Sequence, residues 1–294
     1  MPEQGLRGGE GRLLPLRFAS PREGLFGRIE TCLANHEGLR RIRRAFTSRL
    51  PFPKLVSDVR DVIYASWVVP VDRLADVIPP GVTIRSVDGH AILTVLTYVH
   101  GHFGPALAGP LRGLFPSPKQ SNWRLYVQRI GGQEPAVETV LFLCNAFDSD
   151  LYALGTRLFS DAMLSHRAVN FGHRRDGLDW ISGAASGGGS APDWHLRGRD
   201  TEHRILPAEF APFFGGYDEA LAQLTLQDEA IAPLEKPGNL AFAGIDLPIN
   251  LDSIIPMQAL DWRPGAFARA LGLDAMPFCF RVPAVRFTAL WERI

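Results

Sequence analysis

The run Gln120-Ser-Asn-Trp-Arg-Leu-Tyr-Val-Gln-Arg129, a Gly131-Gly132 turn and the run Glu138-Thr-Val-Leu-Phe-Leu-Cys-Asn-Ala-Phe147 decide the fold of this chain. Both runs are rich in aromatic and β-branched residues and are separated by turn formers, so they read as two strands. Asn122, Arg124 and Tyr126 are spaced by two, which puts them on one strand face. A polar row beside a strand as apolar as Val140 to Phe147 points to a site rather than to plain packing. An acidic corner, Asp148-Ser-Asp150, and a helix from Leu151 to Met163 follow.

Working outward, strands are expected over Val59–Val69, Val82–Val87 and Ala91–His102, the last two joined by an Asp88-Gly89 hairpin turn. Asp72 is placed to cap a short helix, Arg73 to Ile78, ended by Pro79-Pro80-Gly81. Phe103 to Pro118 reads as a loop at a pocket mouth. Downstream, strands are expected over Ala168–His173, Gly177–Ala184, Trp194–His203, Leu240–Leu247 and Phe278–Trp291, with a short helix over Gly265–Leu271. Leu221 to Ala230 fits either strand or helix. Many strands with few short helices imply an α+β protein on an antiparallel or barrel-like sheet.

The expected organisation is a disordered tail (1–20), a helical arm (21–55) and one domain (56–294). In the arm, Ile29, Cys32, Leu33, His36, Leu39, Ile42, Phe46 and Leu50 follow helical spacing, and Arg40, Arg41, Arg43, Arg44 and Arg49 crowd the second half. Such a helix either packs on the domain with a solvated basic face or docks on an acidic partner or membrane surface.

Lys plus Arg and Asp plus Glu balance at 31 each, so no net field favours nucleic acid or anionic membranes. Three cysteines without C-x-x-C spacing argue against a disulfide framework or a structural zinc site and fit a reducing compartment. With no secretory signal and no run long enough for a membrane span, a cytoplasmic protein is expected. Homo-oligomer formation is compatible with the sequence.

Several chemistries can be weighed. His100-x-His102 has chelating spacing but lacks an evident third ligand, so neither metal nor cofactor is expected. The nucleophile motif G-x-S-x-G is absent, Ser165 and His166 are mere sequence neighbours, and Cys144 reads as core. The Gly-rich loop Ser182–Pro192 lacks the Gly-Lys-Ser/Thr ending of a phosphate cradle. Arg60 and Arg124, if inward, suit a carboxylate or enolate; the alternative is a structural pair with Asp148 or Asp150. Tyr126 is either an acid or a polar wall.

The segment Arg60-Asp-Val-Ile-Tyr-Ala-Ser-Trp-Val-Val-Pro-Val-Asp-Arg-Leu-Ala-Asp-Val-Ile-Pro-Pro-Gly-Val82 resembles the opening of the acetoacetate decarboxylase-like superfamily. Gln120-Ser-Asn-Trp-Arg-Leu-Tyr-Val127 resembles the Glu-Leu-Asn-x-Arg-x-Tyr-Val motif of its YqjF-like branch, and Asp148 to His166 the acidic turn and helix that follow. The resemblance spans roughly residues 56 to 260 and implies a closed, cone-like antiparallel β-barrel with flanking helices around a small-molecule pocket. In the decarboxylases a lysine forms a Schiff base with a β-keto acid, aided by a second lysine. That place falls here at Met163 and Leu164, and the family's strand glutamate corresponds to Gln120. Lys119 adjoins Gln120 but alternation turns it to the other face.

The resemblance thus implies a pocket protein without Schiff-base decarboxylation, taking a small carboxylate or carbonyl compound. Arg60, Gln120, Asn122 and Arg124 would bind it. Were it an enzyme, Tyr126 or Asp148 would move a proton in an enolisation, dehydration or cyclisation. Whether it catalyses anything is left open by the residues. The alternatives are a non-catalytic binding protein and a docking module using the basic N-terminal helix.

Overall fold

The computed structural model describes residues 17–47, 52–234, 236 and 238–294. In chain order its elements are α1 (Gly24–Ala34), α2 (Glu37–Thr47), β1 (Leu55–Pro70), β2 (Val82–Ile84), β3 (Ser86–Val87), β4 (His90–Val99), β5 (Gly104–Pro105), β6 (Lys119–Ile130) and β7 (Thr139–Phe147). There follow α3 (Asp150–Phe159), β8 (Ser165–Arg167), β9 (Val169–Asp176), β10 (Asp179–Ala185), β11 (Trp194–Asp200) and α4 (Tyr217–Thr225). The C-terminal part adds β12 (Glu229–Pro233), β13 (Leu240–Asp246), β14 (Ile255–Pro264), α5 (Ala266–Ala270) and β15 (Phe278–Arg293).

One sheet carries the strands in the order β1-β4-β6-β7-β12-β13-β15, and β15 pairs again with β1, so the pairing path returns to its start. All these neighbours are antiparallel except β7 with β12. From β15 the sheet continues through β14, β11, β10 and β9. The turn residues the sequence singles out behave as hairpin geometry requires: Asp88 and Gly89 have φ of 48° and 75°, Gly131 and Gly132 of 60° and 82°. β1 carries a bulge between Arg60 and Ile63, with Asp61 at φ 53°, a left-handed conformation that Asp tolerates better than most side chains.

Strand alternation splits the core in two. One buried cluster holds Ala65, Trp67, Leu93, Val95, Trp123 and Leu125, closed by Trp180, Trp194, Trp262 and Phe267. The other holds Tyr64, Leu96, Tyr126, Val140, Phe280 and Val282, closed by Phe210 and Phe214 and by Leu221 and Leu224 of α4. Each large apolar side chain so buried contributes about 1.5–3 kcal/mol.

Several expectations need correction. The arm is two helices rather than one, because the Asn35 side chain bonds both the N–H and the C=O of Phe18 and stops α1. Residues 17–20 are packed rather than disordered, with Phe18 buried; residues 1–16 lie outside the described residues, as do Arg49, Leu50 and Pro51. The third helix stops at Phe159, short of Met163, because Glu292 takes the Ser160 hydroxyl and the Asp161 N–H. Leu221–Ala230 divides into the end of α4 and the start of β12; Asp218 and Glu219 in the first turn of α4 favour its helix. The helix after Asp72 is a short 3₁₀ turn, Val71–Leu74, and Phe103–Pro118 contains β5 and a 3₁₀ stretch with Leu107 and Leu114 exposed. No described helix is long and apolar enough to cross a membrane.

Candidate functional site

The registers of β1, β4, β6 and β7 put one polar row on a single face. Ser66 lies opposite Thr94, Thr94 opposite Arg124, Leu96 opposite Asn122 and Tyr98 opposite Gln120. Asn122 in turn faces Asn145, after which a bulge in β7 adjusts the register. Gln120, Asn122, Arg124 and Tyr126 are therefore brought together, and all four are buried.

The row has two halves. In the first, His100 sits between Ser57 (Nδ1 to Oγ, 2.8 Å) and Gln120 (Nε2 to Oε1, 2.7 Å). Gln120 Nε2 and Asn122 Nδ2 both donate to Asn145 Oδ1 at 2.9 Å. That fixes the Gln120 carbonyl toward the imidazole, so the histidine proton resides on Nε2 and Ser57 donates to Nδ1. Burial pushes the His100 pKa down to about 4, which keeps the ring neutral. Ser57 and His100 are sealed from solvent, so this Ser–His contact offers no nucleophile to a substrate. His102 points elsewhere, to the Phe115 carbonyl, and does not join His100 as a chelating pair.

The second half is charged. Arg124 is 3% exposed. Its Nη2 donates to the Leu224 carbonyl at 2.7 Å, and its guanidinium lies 5.4 Å from the Tyr64 ring centre and 5.7 Å from that of Tyr126. The Tyr126 hydroxyl donates to the same carbonyl at 3.1 Å and shares a 2.9 Å contact with Thr94, which continues to Ser66 at 2.9 Å. Leu224 is in the last turn of α4, where backbone carbonyls lack intrahelical partners and carry the negative end of the helix dipole. Among the described residues no carboxylate lies within ion-pair distance of Arg124. Arg124 Nε and the Tyr64 hydroxyl are buried without a hydrogen-bond partner. Burial pushes Tyr64 up to about 12, so it is a neutral donor. Beside Tyr126 is a crevice of about 20 Å³ lined by Ile92, Phe213, Phe214 and Leu224, space for about one water molecule.

Two other predicted residues lie apart. Arg60 is exposed at the β1 bulge rather than turned toward Arg124, because the bulge breaks the alternation that would have buried it. Asp148 accepts the Lys119 N–H at 2.9 Å and stands 3.8 Å from Lys119 Nζ. It lies at the end of β6 opposite Tyr126, roughly 20 Å away by strand rise over six residues, so the two do not form an acid–base pair. Lys119 Nζ donates to the Phe171 carbonyl at 3.0 Å.

Sequence reasoning missed Tyr64, Thr94 and Asn145, whose only signal was strand alternation in a neighbouring strand. It also missed a cluster on the other side: Arg281 clamps Asp200 (2.7 Å) and Asp61 (3.2 Å) and lies 4.6 Å from the Trp180 ring centre. His173 joins it through the Asp61 carbonyl at 2.7 Å and the Ser182 hydroxyl at 2.6 Å. The bonds of Arg281 and His173 to Asp61 pin the β1 bulge.

Comparison with known proteins agrees with this architecture. The model of the DUF2071 family, described as an uncharacterized conserved protein, matches residues 57–208. No curated protein sequence matches the chain. The solved structure of the enduracididine biosynthesis enzyme MppR complexed with pyruvate is 12% identical, covering 83% of this chain and 90% of that one, with a TM-score of 0.53. Acetoacetate decarboxylase is 12% identical over 82% of this chain and 88% of that one, with a TM-score of 0.51. An acetoacetate decarboxylase-like enzyme from Sphingomonas wittichii RW1 is 11% identical over 82% and 92%, also with a TM-score of 0.51. This chain therefore has the acetoacetate decarboxylase-like fold.

Proposed function

The chain belongs to the DUF2071 family, and from that premise we propose that it binds a small carboxylate or carbonyl compound at Arg124. One observation carries this reading: a buried guanidinium with no described carboxylate partner, an unpartnered Nε, and an unpartnered Tyr64 hydroxyl beside it. A buried cation left without an anion is costly, and a bound carboxylate would supply the missing charge and acceptors. MppR, which shares the fold, has been solved with pyruvate, a compound carrying both groups.

In this reading the return of the strand path to β1 makes the sheet a closed barrel, and α4 is its stopper. The Leu224 carbonyl holds the place of a ligand oxygen, which is why the crevice beside Tyr126 is so small. Binding displaces the end of α4 and hands Arg124 and Tyr126 to the ligand. Gln120 and Asn122 shape the neighbouring wall through Asn145. Tyr126, as a hydroxyl beside the anion site, is the group placed to exchange a proton with an enolate; Asp148 is too distant to share that step.

The chemistry is lysine-independent. Lys119 projects from the opposite face, and Lys54 and Lys236, the remaining lysines, are exposed. The rival reading, a docking arm, has less support, because Arg43 and Arg44 of α2 are paired with Asp161 of the domain. The test is calorimetric titration of pyruvate and other short carboxylates into the wild type and Arg124→Met. Saturable binding lost in the variant supports the reading; binding of equal strength in both overturns it.

A further inference from the structure

The crevice beside Tyr126 changes character with depth. At its base are Tyr126 and Leu224, both buried, where the Leu224 carbonyl takes the bonds of Tyr126 and Arg124. Ile92 and Phe214 give it apolar walls. At its mouth stand two polar residues that solvent reaches, Arg85 and Gln223.

Those two residues are joined. Arg85 is fixed on the sheet side: its N–H donates to the Tyr126 carbonyl at 2.7 Å, and its Nη2 to Glu138 Oε2 at 2.9 Å, just before β7. Its Nη1 donates to Gln223 Oε1 at 2.9 Å, on α4 one residue before Leu224. One guanidinium fork thus grips the sheet with one arm and the helix with the other. The Arg85 side chain is 36% exposed, so water competes for the helix bond and keeps it weak.

The turn held in this way is loosely built. Thr225 Oγ1 bonds back to the Leu221 carbonyl at 2.7 Å, a pattern that slightly destabilises a helix. Leu226 leaves its side chain in solvent. Next to it, the buried Gln227 Oε1 has no hydrogen-bond partner among the described residues. The closed turn therefore leaves an acceptor unsatisfied that water would satisfy once the turn lifts.

We propose that this crevice is the entrance to Arg124 and that the Arg85–Gln223 bond is its latch, a role that rests on Arg124 being the carboxylate site. The ligand enters only those molecules in which the last turn of α4 has lifted, so the latch sets the fraction of chains competent to bind. Breaking it enlarges that fraction. Association then quickens, while dissociation from the open form keeps its rate.

The test compares the full-length wild type with Arg85→Ala, Gln223→Ala and the double variant. Hydrogen exchange is followed without ligand at the Leu224–Leu226 amides, of which Leu226 donates to the Ala222 carbonyl at 3.0 Å. Pyruvate binding is followed by stopped flow. Each single variant should speed exchange about threefold, and the double variant no more than either, because the same bond is lost in all of them. Pyruvate association should quicken by the same factor at an unchanged dissociation rate. Unchanged exchange in both single variants, or gains that add in the double variant, would overturn the latch. Quickened exchange with pyruvate associating at the wild-type rate would keep Arg124 as the site and overturn the crevice as its entrance. Quickened exchange with pyruvate bound by none of these proteins would uphold the latch and overturn the carboxylate reading of Arg124.

Discussion

Arg124 on β6 donates to the carbonyl of Leu224, one hundred residues later, at 2.7 Å, and that bond ties the end of α4 to the polar face of the sheet. A helix carbonyl is a partial charge where a carboxylate would be a full one, so the guanidinium is only half answered. The relationship explains why the site is closed, and it leaves the charge that the proposed carboxylate would answer.

A first consequence concerns Arg124→Met. Replacing an incompletely paired buried ion by an apolar side chain of similar length is often neutral or stabilising by about 1–3 kcal/mol. Tyr126 still donates to the Leu224 carbonyl in the variant. The expected result is an unchanged or raised urea midpoint together with loss of carboxylate binding. A midpoint lowered by more than about 2 kcal/mol of stability would mark Arg124 as a structural tie instead.

His100→Ala has the opposite signature. It leaves Ser57 and Gln120 unpaired in a dry interior and opens a cavity, for a loss of roughly 2–4 kcal/mol. Ligand affinity at Arg124 should change little, because the network holds the wall and not the anion. Chemical denaturation paired with calorimetry distinguishes the two effects.

Acid should destabilise the fold through two histidines. Burial pushes both His100 and His173 down to about 4, against about 6.5 unfolded. Between those values the unfolded chain binds protons that the folded chain does not, so stability falls as pH drops from 6.5 towards 4. Each histidine contributes a slope of up to about 1.4 kcal/mol per pH unit. Asp61 and Glu292, raised by burial, work in the opposite sense over the carboxylate range. Urea midpoints from pH 7 to 4.5 should fall, and the fall should be shallower in His173→Asn.

The lysine prediction is read by mass. Incubation with acetoacetate and borohydride should leave the mass of the chain unchanged, because Lys119 Nζ is held by the Phe171 carbonyl and faces away from Arg124. A stable adduct at Lys119 would reinstate Schiff-base chemistry.

The sequence by itself determined the strands, the turns and the shared face of Gln120, Asn122, Arg124 and Tyr126, because a period of two is a local property of the chain. It also determined the fold family, since the Arg60–Val82 and Gln120–Val127 segments carry that family's pattern in consecutive residues. Only the tertiary structure decided what stands opposite those residues. The bulge at Asp61 turned Arg60 to solvent, because one extra residue inverts the inward and outward sides of a strand. The docking of α4 gave Arg124 the Leu224 carbonyl, and β1, β4 and β7 supplied Tyr64, Thr94 and Asn145. Those partners come from 23 to 100 residues away, and their register depends on packing across the whole sheet, a non-local quantity that no window of sequence contains.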